Sequence, residues 1–375
     1  MRKKPCVLSA IACNADHDVL SAAFPLLEAG EVEALEWSFD ALMGEMPEWF
    51  STLLSVYGEQ GRLVGHGVYF SLLSGQWTPE QQQWLHDLGQ LAARFSFDHV
   101  TEHFGFFTGE SFHAGAPLPV PCSAATLRLG RDRLRRIQDA GRCPVGLENL
   151  ALAYSLADVQ QQGAFLDQLL EPVNGFLILD LHNLYCQLHN FAIAPETLID
   201  LYPLDRVREI HISGGSWEAS ARAPRGRVRR DTHDGAVPEE VFQLLERTMP
   251  RCPHLKYVVL EQLGTALKTE RQRAGFRRDF RRMARLVQQH DRATTRGSDQ
   301  LFLPLHPSPG GPVVVDEKLH GQQRQLSRIL EAAPTLDEAQ RLLHGSSLAH
   351  TEWHLENWPP YMLETARRIA QKWKR

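Results

Sequence analysis

A chain of 375 residues, 43% hydrophobic and 23% charged, carries enough apolar material for a large core. Its formal net charge of −5 supplies no overall basic field, so nucleic acid is not an expected partner. No apolar run approaches the ~20 residues needed to span a bilayer, so no membrane segment is expected either.

In chain order, the basic start MRKKP leads into a short apolar run interrupted by Asp16, His17 and Asp18. This reads as a first strand and not as a signal peptide. The cysteines (Cys6, Cys13, Cys122, Cys143, Cys186, Cys252) are scattered without a CxxC pair, which predicts reduced thiols and a cytoplasmic protein. Short β-type runs then recur: CVLSAIA (6–12), VEALEW (32–37), GRLVGHG (61–67), FDHVTEH (97–103), CPVGLEN (143–149), GFLILDLH (175–182), VREIHIS (207–213) and KYVVLEQ (256–262). Segments with helical spacing, such as TPEQQQWLHDLGQLAARF and AATLRLGRDRLRRIQDAG, lie between most of them. The alternation predicts an α/β fold, a closed parallel (β/α)8 TIM barrel over residues 1–295. No GxGxxG follows the first strand, which counts against a dinucleotide fold.

After the barrel, SPGGP (308–312) reads as a linker or turn, and residues 296–375 as a linker with a small helical C-terminal extension. Thr335 before Glu338 in PTLDEAQRLL predicts a helix start, and PPYMLETARRIAQKWKR a last helix. No internal repeat is present.

In a (β/α) barrel the C-terminal strand ends converge on one mouth. Here the runs end in Glu36, His66, Glu102 with His103, Glu148, Asp180 with His182 and Asn183, His211, and Glu261. The loop after the seventh run, RRDTHDGAVP, adds Asp231 and His233, which extended backbone would point the same way. So many carboxylates buried together need cations, and mixed His, Asp and Glu ligands suit Fe, Mn or Zn. Single histidines have blander explanations: His86, His113, His254, His344, His350 and His354 read as surface or locally bonded groups. By the same reasoning ARAPRGRVRR (221–230) is a solvated loop, with an acidic or peptide partner as the alternative. Trp353, Trp358 and Trp373 read as packing.

At GHGVYFSLLSG, TEHFGFF followed by APLPVP, VGLENLA, LDLHNLYCQLHN, REIHISGG, DTHDGAVPEEVF and VVLEQLG the chain resembles the DUF692 family. These are the multinuclear non-haem iron-dependent oxidative enzymes (MNIOs), the family of methanobactin and 3-thiaglutamate biosynthesis oxidases. The pieces occur in the family's order over roughly residues 60–265, leaving Glu36 outside the matched stretch. The resemblance implies a xylose-isomerase-like barrel holding two or three Fe ions (Fe2+/Fe3+) and using O2 to modify a ribosomally synthesised precursor peptide, often at cysteine. Carried over by position, the implied ligands are His66, His103, Glu148, Asp180, Asn183, His211, Asp231, His233 and Glu261, with Glu148 a candidate bridge. Where the family usually has asparagine this chain has His182, read as an added ligand or a group behind the ligands. Many relatives act with a separate peptide-recruiting partner protein. The ligand types alone also permit a Zn- or Mn-dependent hydrolase or isomerase acting on a sugar or phosphodiester, or a non-catalytic peptide- or metal-binding protein.

Overall fold

The computed structural model describes residues 7–44, 46–111, 114–293, 302–304 and 311–374. Cys6, His113, the 295/296 boundary and most of the 308–312 linker lie outside the described residues. Eight parallel strands close into a barrel. In chain order they are Leu8–Ala12, Ala34–Trp37, Leu63–His66, His99–His103, Val145–Glu148, Phe176–Asp180, Val207–Ile212 and Tyr257–Leu260. Each pairs with its sequence neighbours, and the first closes the ring on the eighth through Leu8↔Tyr257 to Ile11↔Leu260.

Helices α1 (His17–Glu28), α2 (Glu48–Glu59), α3 (Pro79–Phe95), α4 (Ala124–Gly141), α5 (Leu156–Leu170), α6 (Leu181–Phe191), α7 (Pro195–Ile199), α8 (Glu239–Thr248) and α9 (Glu270–Ala293) follow the strands. Their starts are written locally. Thr78, Ser123 and Ser155 each cap a helix from a side-chain oxygen, with the third helical residue bonding back. Apolar spacing then buries one face, as with Leu129, Leu134 and Ile137 of α4.

Strand pairing sets the height of the polar strand ends. His66 lies beside Thr101, His103 beside Glu148, and Asp180 beside His211. Below them the barrel interior is apolar in part, with Ala10, Ala34, Val64, Tyr257 and Val259 in one cluster. Two short ribbons, Phe106–Phe107 with Pro117–Leu118 and Trp217–Ala219 with Arg227–Arg229, rise beyond the strand ends.

Helices α10 (Glu317–Ala332), α11 (Leu336–His344) and α12 (Pro360–Trp373) end the described chain. Thr335 caps α11 by accepting from the Glu338 amide at 3.2 Å. These helices lie against loops that follow the third and fifth strands. Gln323 accepts from the Gly75 amide and donates to the Leu73 carbonyl, and the Trp358 ring stacks on Tyr154 at 3.8 Å. Trp353 and Trp358 are buried, while Trp373 is exposed.

Candidate metal centre

The strand-borne side of the mouth begins at His66. Its Nδ1 lies 2.8 Å from the Thr101 hydroxyl, which has the Gly65 carbonyl as acceptor at 3.2 Å. A hydroxyl has one proton to give, so His66 donates from Nδ1 and keeps a lone pair on Nε2. That nitrogen faces Glu148 Oε2 at 3.4 Å, and His103 Nε2 faces the same oxygen at 3.2 Å. A proton on the Glu148 oxygen can bond to only one of these nitrogens, and a divalent cation among the three atoms would take its place.

Glycine flanks His66 for a packing reason. A Cβ on Gly67 would stand 2.2 Å from Glu102 Oε2 and 3.0 Å from the Thr101 carbonyl. Strand alternation turns Glu102 away from the mouth, where its Oε1 accepts from the Phe70 amide at 3.3 Å. Asp40 Oδ2 accepts from the Val68 and Tyr69 amides and from Trp84 Nε1. Two buried carboxylates thus clamp the segment that follows His66, and Glu102 is no part of the mouth cluster.

Further round the barrel, Asn183 Nδ2 donates to Glu148 Oε1 at 3.2 Å and to the Asn149 carbonyl at 2.8 Å. Asp180 caps α6 by accepting from the Asn183 amide at 2.6 Å. His211 Nε2 lies 3.1 Å from Glu36 Oε2 and 3.3 Å from Glu209 Oε1, with Nδ1 3.5 Å from Glu261 Oε2. The loop-borne side consists of Asp231 and His233. His233 Nε2 lies 3.0 Å from Asp231 Oδ1 and 3.7 Å from Glu261 Oε2, on a residue held at φ 49°. A positive φ at a non-glycine residue is strained, and here it aims the ring inward.

Burial raises the Glu36 carboxyl to about 8 and Asp180 to about 7, and pushes the His103 imidazole down to about 4. Glu148 also rises well above the usual carboxyl range through burial. Burial opposes charge on His211 too, but Glu36 and Glu261 outweigh it and hold the ring well above its usual value. For Glu261 burial likewise pushes up, and His211 and His233 outweigh it, so the carboxyl sits below its usual range. Protons here occupy positions that a cation would contest.

Among the described residues, four sets of three bring ligand atoms within 4.8 Å of one another: His66, His103 and Glu148; Glu36, His211 and Glu261; Glu148, Asp180 and His211; Asp180, His233 and Glu261. Glu36 Oε1, His103 Nδ1, Asp180 Oδ2 and Asn183 Oδ1 are buried without a hydrogen-bond partner, whereas Glu36 Oε2, His211 Nδ1 and His233 Nε2 have only the ion-pair contacts above. Side-chain exposure is graded, from 4–5% at His66 and Glu148 to 21% at His103 and 24–25% at His233 and Asp231. The cluster therefore opens on the side of His103 and the 231–233 loop.

The mouth brings together His66, His103, Glu148, Asp180, Asn183, His211, Asp231, His233 and Glu261, and adds Glu36. His182 differs from the ligand role. Arg229 Nε and Nη2 lie 3.1 and 3.0 Å from its Nε2, and its Nδ1 is 2.9 Å from Asp231 Oδ1. Both ring nitrogens are taken. Reading only the last residue of each strand missed Glu209 and His99, whose 2.6 Å pair sits buried beneath His211. The available signal was alternation, since Glu209 precedes His211 by two and so shares its face.

Over residues 24–270 the chain matches the family described as RiPP precursor modification enzyme MbnB/TglH/ChrH. It is 31% identical over 188 residues to a UPF0276 protein of Caulobacter vibrioides, covering 50% of this chain and 65% of that protein. It is 29% identical over 191 residues to a UPF0276 protein of Acaryochloris marina, covering 50% and 64%. The chain thus spans just under two thirds of the length of these two curated relatives. Among solved structures, endonuclease IV from Thermus thermophilus is similar at 14% identity and a TM-score of 0.47, over 74% of this chain and 98% of that one. A xylose isomerase-like TIM barrel protein from Mycobacterium smegmatis, in complex with magnesium, is similar at 14% identity and a TM-score of 0.45, over 74% and 90%.

Proposed function

The chain belongs to the MbnB/TglH/ChrH family of RiPP precursor modification enzymes, and from that premise we propose that it oxidatively modifies a ribosomally synthesised precursor peptide, at cysteine, with O2 as co-substrate and two or three iron ions at the barrel mouth. The observation that carries the metal part is the convergence of imidazoles and carboxylates in overlapping three-residue sets, beside which Glu36 Oε1, Asp180 Oδ2 and Asn183 Oδ1 are buried without a hydrogen-bond partner. Leaving such a group unmade costs ~1–3 kcal/mol, and ligation is the chemistry that suits imidazole, carboxylate and amide oxygen together. The residues present therefore fit the group.

In this reading His66, His103 and Glu148 would hold one ion, Asp180, Asp231, His233 and Glu261 a second, and His211 with Glu36 the third where three are bound. Glu148, like Asp180, His211 and Glu261, belongs to two of the three-residue sets, so it would serve more than one ion position. Iron held there would supply redox chemistry with dioxygen at open coordination positions. The protein's own contribution is shape and orientation. His66, Glu148 and His211 close the back of the site to water, and the exposed side between His103 and His233 admits the peptide side chain. Thr101 fixes the His66 tautomer, and Asn149 fixes the Asp180 backbone by bonds of 2.7 and 3.2 Å.

The test is anaerobic loading with ferrous iron, metal analysis, and oxygen uptake with a cysteine-containing peptide encoded beside the gene. Two or three irons per chain and peptide-dependent uptake are expected. Stoichiometric zinc or manganese with full turnover and no oxygen uptake would move the assignment to a hydrolase or isomerase, and metal binding without turnover to a binding protein. A requirement for a second protein would identify a peptide-recruiting partner.

A further inference from the structure

The arginine-rich segment 221–230 is largely exposed, as a solvated loop would be, but it is anchored. Its arginines already have partners. Arg222 lies 3.1 Å from Asp337, Arg225 lies 3.3 Å from His189, and Arg227 stacks 4.1 Å over the Trp217 ring. Arg230 pairs with Glu218, which also pairs with Arg368 of α12. Ser220 donates to Glu364 of α12 at 3.0 Å. The ribbon formed by Trp217–Ala219 and Arg227–Arg229 is therefore gripped by the C-terminal helices and leads directly into Asp231.

A buried chain of bonds runs the same way. Tyr361 of α12 donates to the Asn190 carbonyl at 2.7 Å. The Asn190 side chain accepts from the Arg229 amide at 2.8 Å and donates to the Arg229 carbonyl at 3.0 Å. The Arg229 guanidinium, which can only donate, then meets His182 Nε2 at 3.0 and 3.1 Å. His182 must accept there and so donates from Nδ1 to Asp231 Oδ1 at 2.9 Å. Arg229 and His182 are buried, the latter fully. Rotation of the Asp231 carboxylate is thereby restricted from behind, on the side where backbone is loop and not strand.

The geometry points to Arg229 and His182 as positioning residues for Asp231, and to the C-terminal helices as the part of the chain that holds this pair in place. This rests on the reading of the mouth as a metal centre. It adds that the loop-borne ion position depends on residues beyond the matched family stretch of 24–270.

The test uses the full chain with Arg229→Met, Arg229→Lys, and Tyr361→Phe combined with Arg368→Gln. Two properties are read: histidine ring nitrogen shifts of the metal-free protein by NMR, and stepwise affinity for ferrous iron in anaerobic titration. Expected for Arg229→Met is loss of the single His182 tautomer and a fall of about 10–100-fold in one metal affinity. The step lost in His66→Ala should keep its affinity. Arg229→Lys, still a donor-only cation, should restore part of both, and the α12 double variant should shift both in the same direction by less. Unmoved His182 signals and metal affinities in Arg229→Met overturn the proposal. So does a fall in every affinity together with the melting temperature, which is what a merely structural arginine gives. An unmodified protein that binds no ferrous ion overturns the metal reading itself, and the wild-type titration alone distinguishes that outcome.

Discussion

The two sides of the mouth cluster are built by different means. His66, His103 and Glu148 sit on adjacent strands, so backbone pairing fixes their spacing, and Thr101 and the Asp40–Glu102 clamp fix their surroundings. Asp231 and His233 sit on a loop, and side chains do the fixing: Arg229 and His182 behind Asp231, the C-terminal helices behind Arg229. His66 and Glu148 on the strand-borne side are nearly closed, whereas the mouth opens between His103 and the loop-borne Asp231 and His233, each about a fifth to a quarter exposed. Rigidity comes cheaply from a sheet; an open coordination face needs a loop, and the loop then needs support from elsewhere.

The largest expected effect separates the sides by metal content. Glu148→Gln should remove at least one ion and weaken a second, because Glu148 contributes to two ligand sets. His233→Ala should remove one and leave the His66 position loaded. Elemental analysis of anaerobically loaded protein reads both, and equal losses would contradict the division.

Backbone crowding gives the next contrast. Gly67→Ala puts a Cβ 2.2 Å from Glu102 Oε2, so it should cost about 1–3 kcal/mol by overpacking. At Gly235, beside the loop-borne ligands, the nearest atom to an added Cβ is 3.4 Å away, an ordinary contact. Gly235→Ala should leave the melting temperature almost unmoved. Similar losses in the two variants would show that the strand-borne side is no more tightly packed than the loop.

A separate pH effect is expected at the clamp behind the strand-borne side. Burial raises the Asp40 carboxyl from 3.8 to about 6 in the fold. Between those values the folded chain holds a proton that the unfolded chain has released, so Asp40 favours the fold at acid pH and this contribution is lost as pH rises through the window. Metal-free wild type should therefore lose stability relative to Asp40→Asn from about pH 4 to 6. Parallel stability curves for the two proteins would remove Asp40 from that role. The smallest effect is expected at the partly exposed Arg368–Glu218 pair, where Arg368→Ala should cost less than ~1 kcal/mol in a denaturant melt.

Much of the strand-borne side was legible because strands write their ends as apolar runs. All eight runs hold a barrel strand, and VREIHIS became Val207–Ile212 with only its last residue outside. The GFLILDLH run overshoots its strand, since Asp180 ends the strand as the cap of α6 and His182 falls on the helix. That shift of register is why His182 looks like a ligand in sequence and meets Arg229 in the fold. Glu102 misled in a related way, for strand alternation turns it from the mouth although it adjoins His103. The ribbons and the grip of α12 on Arg229 were not legible. Strands of two or three residues carry no periodicity, and contacts between residues 190, 229 and 361 have no local signature.

The most direct test is a crystal structure of protein loaded anaerobically with ferrous iron, with anomalous scattering collected at the iron edge. Two or three iron peaks are expected, one within about 2–2.5 Å of ligand atoms on His66, His103 and Glu148 and another among Asp180, His233 and Glu261. Iron absent from the mouth of a folded, fully loaded protein, or bound only at a surface site away from these residues, would contradict the assignment.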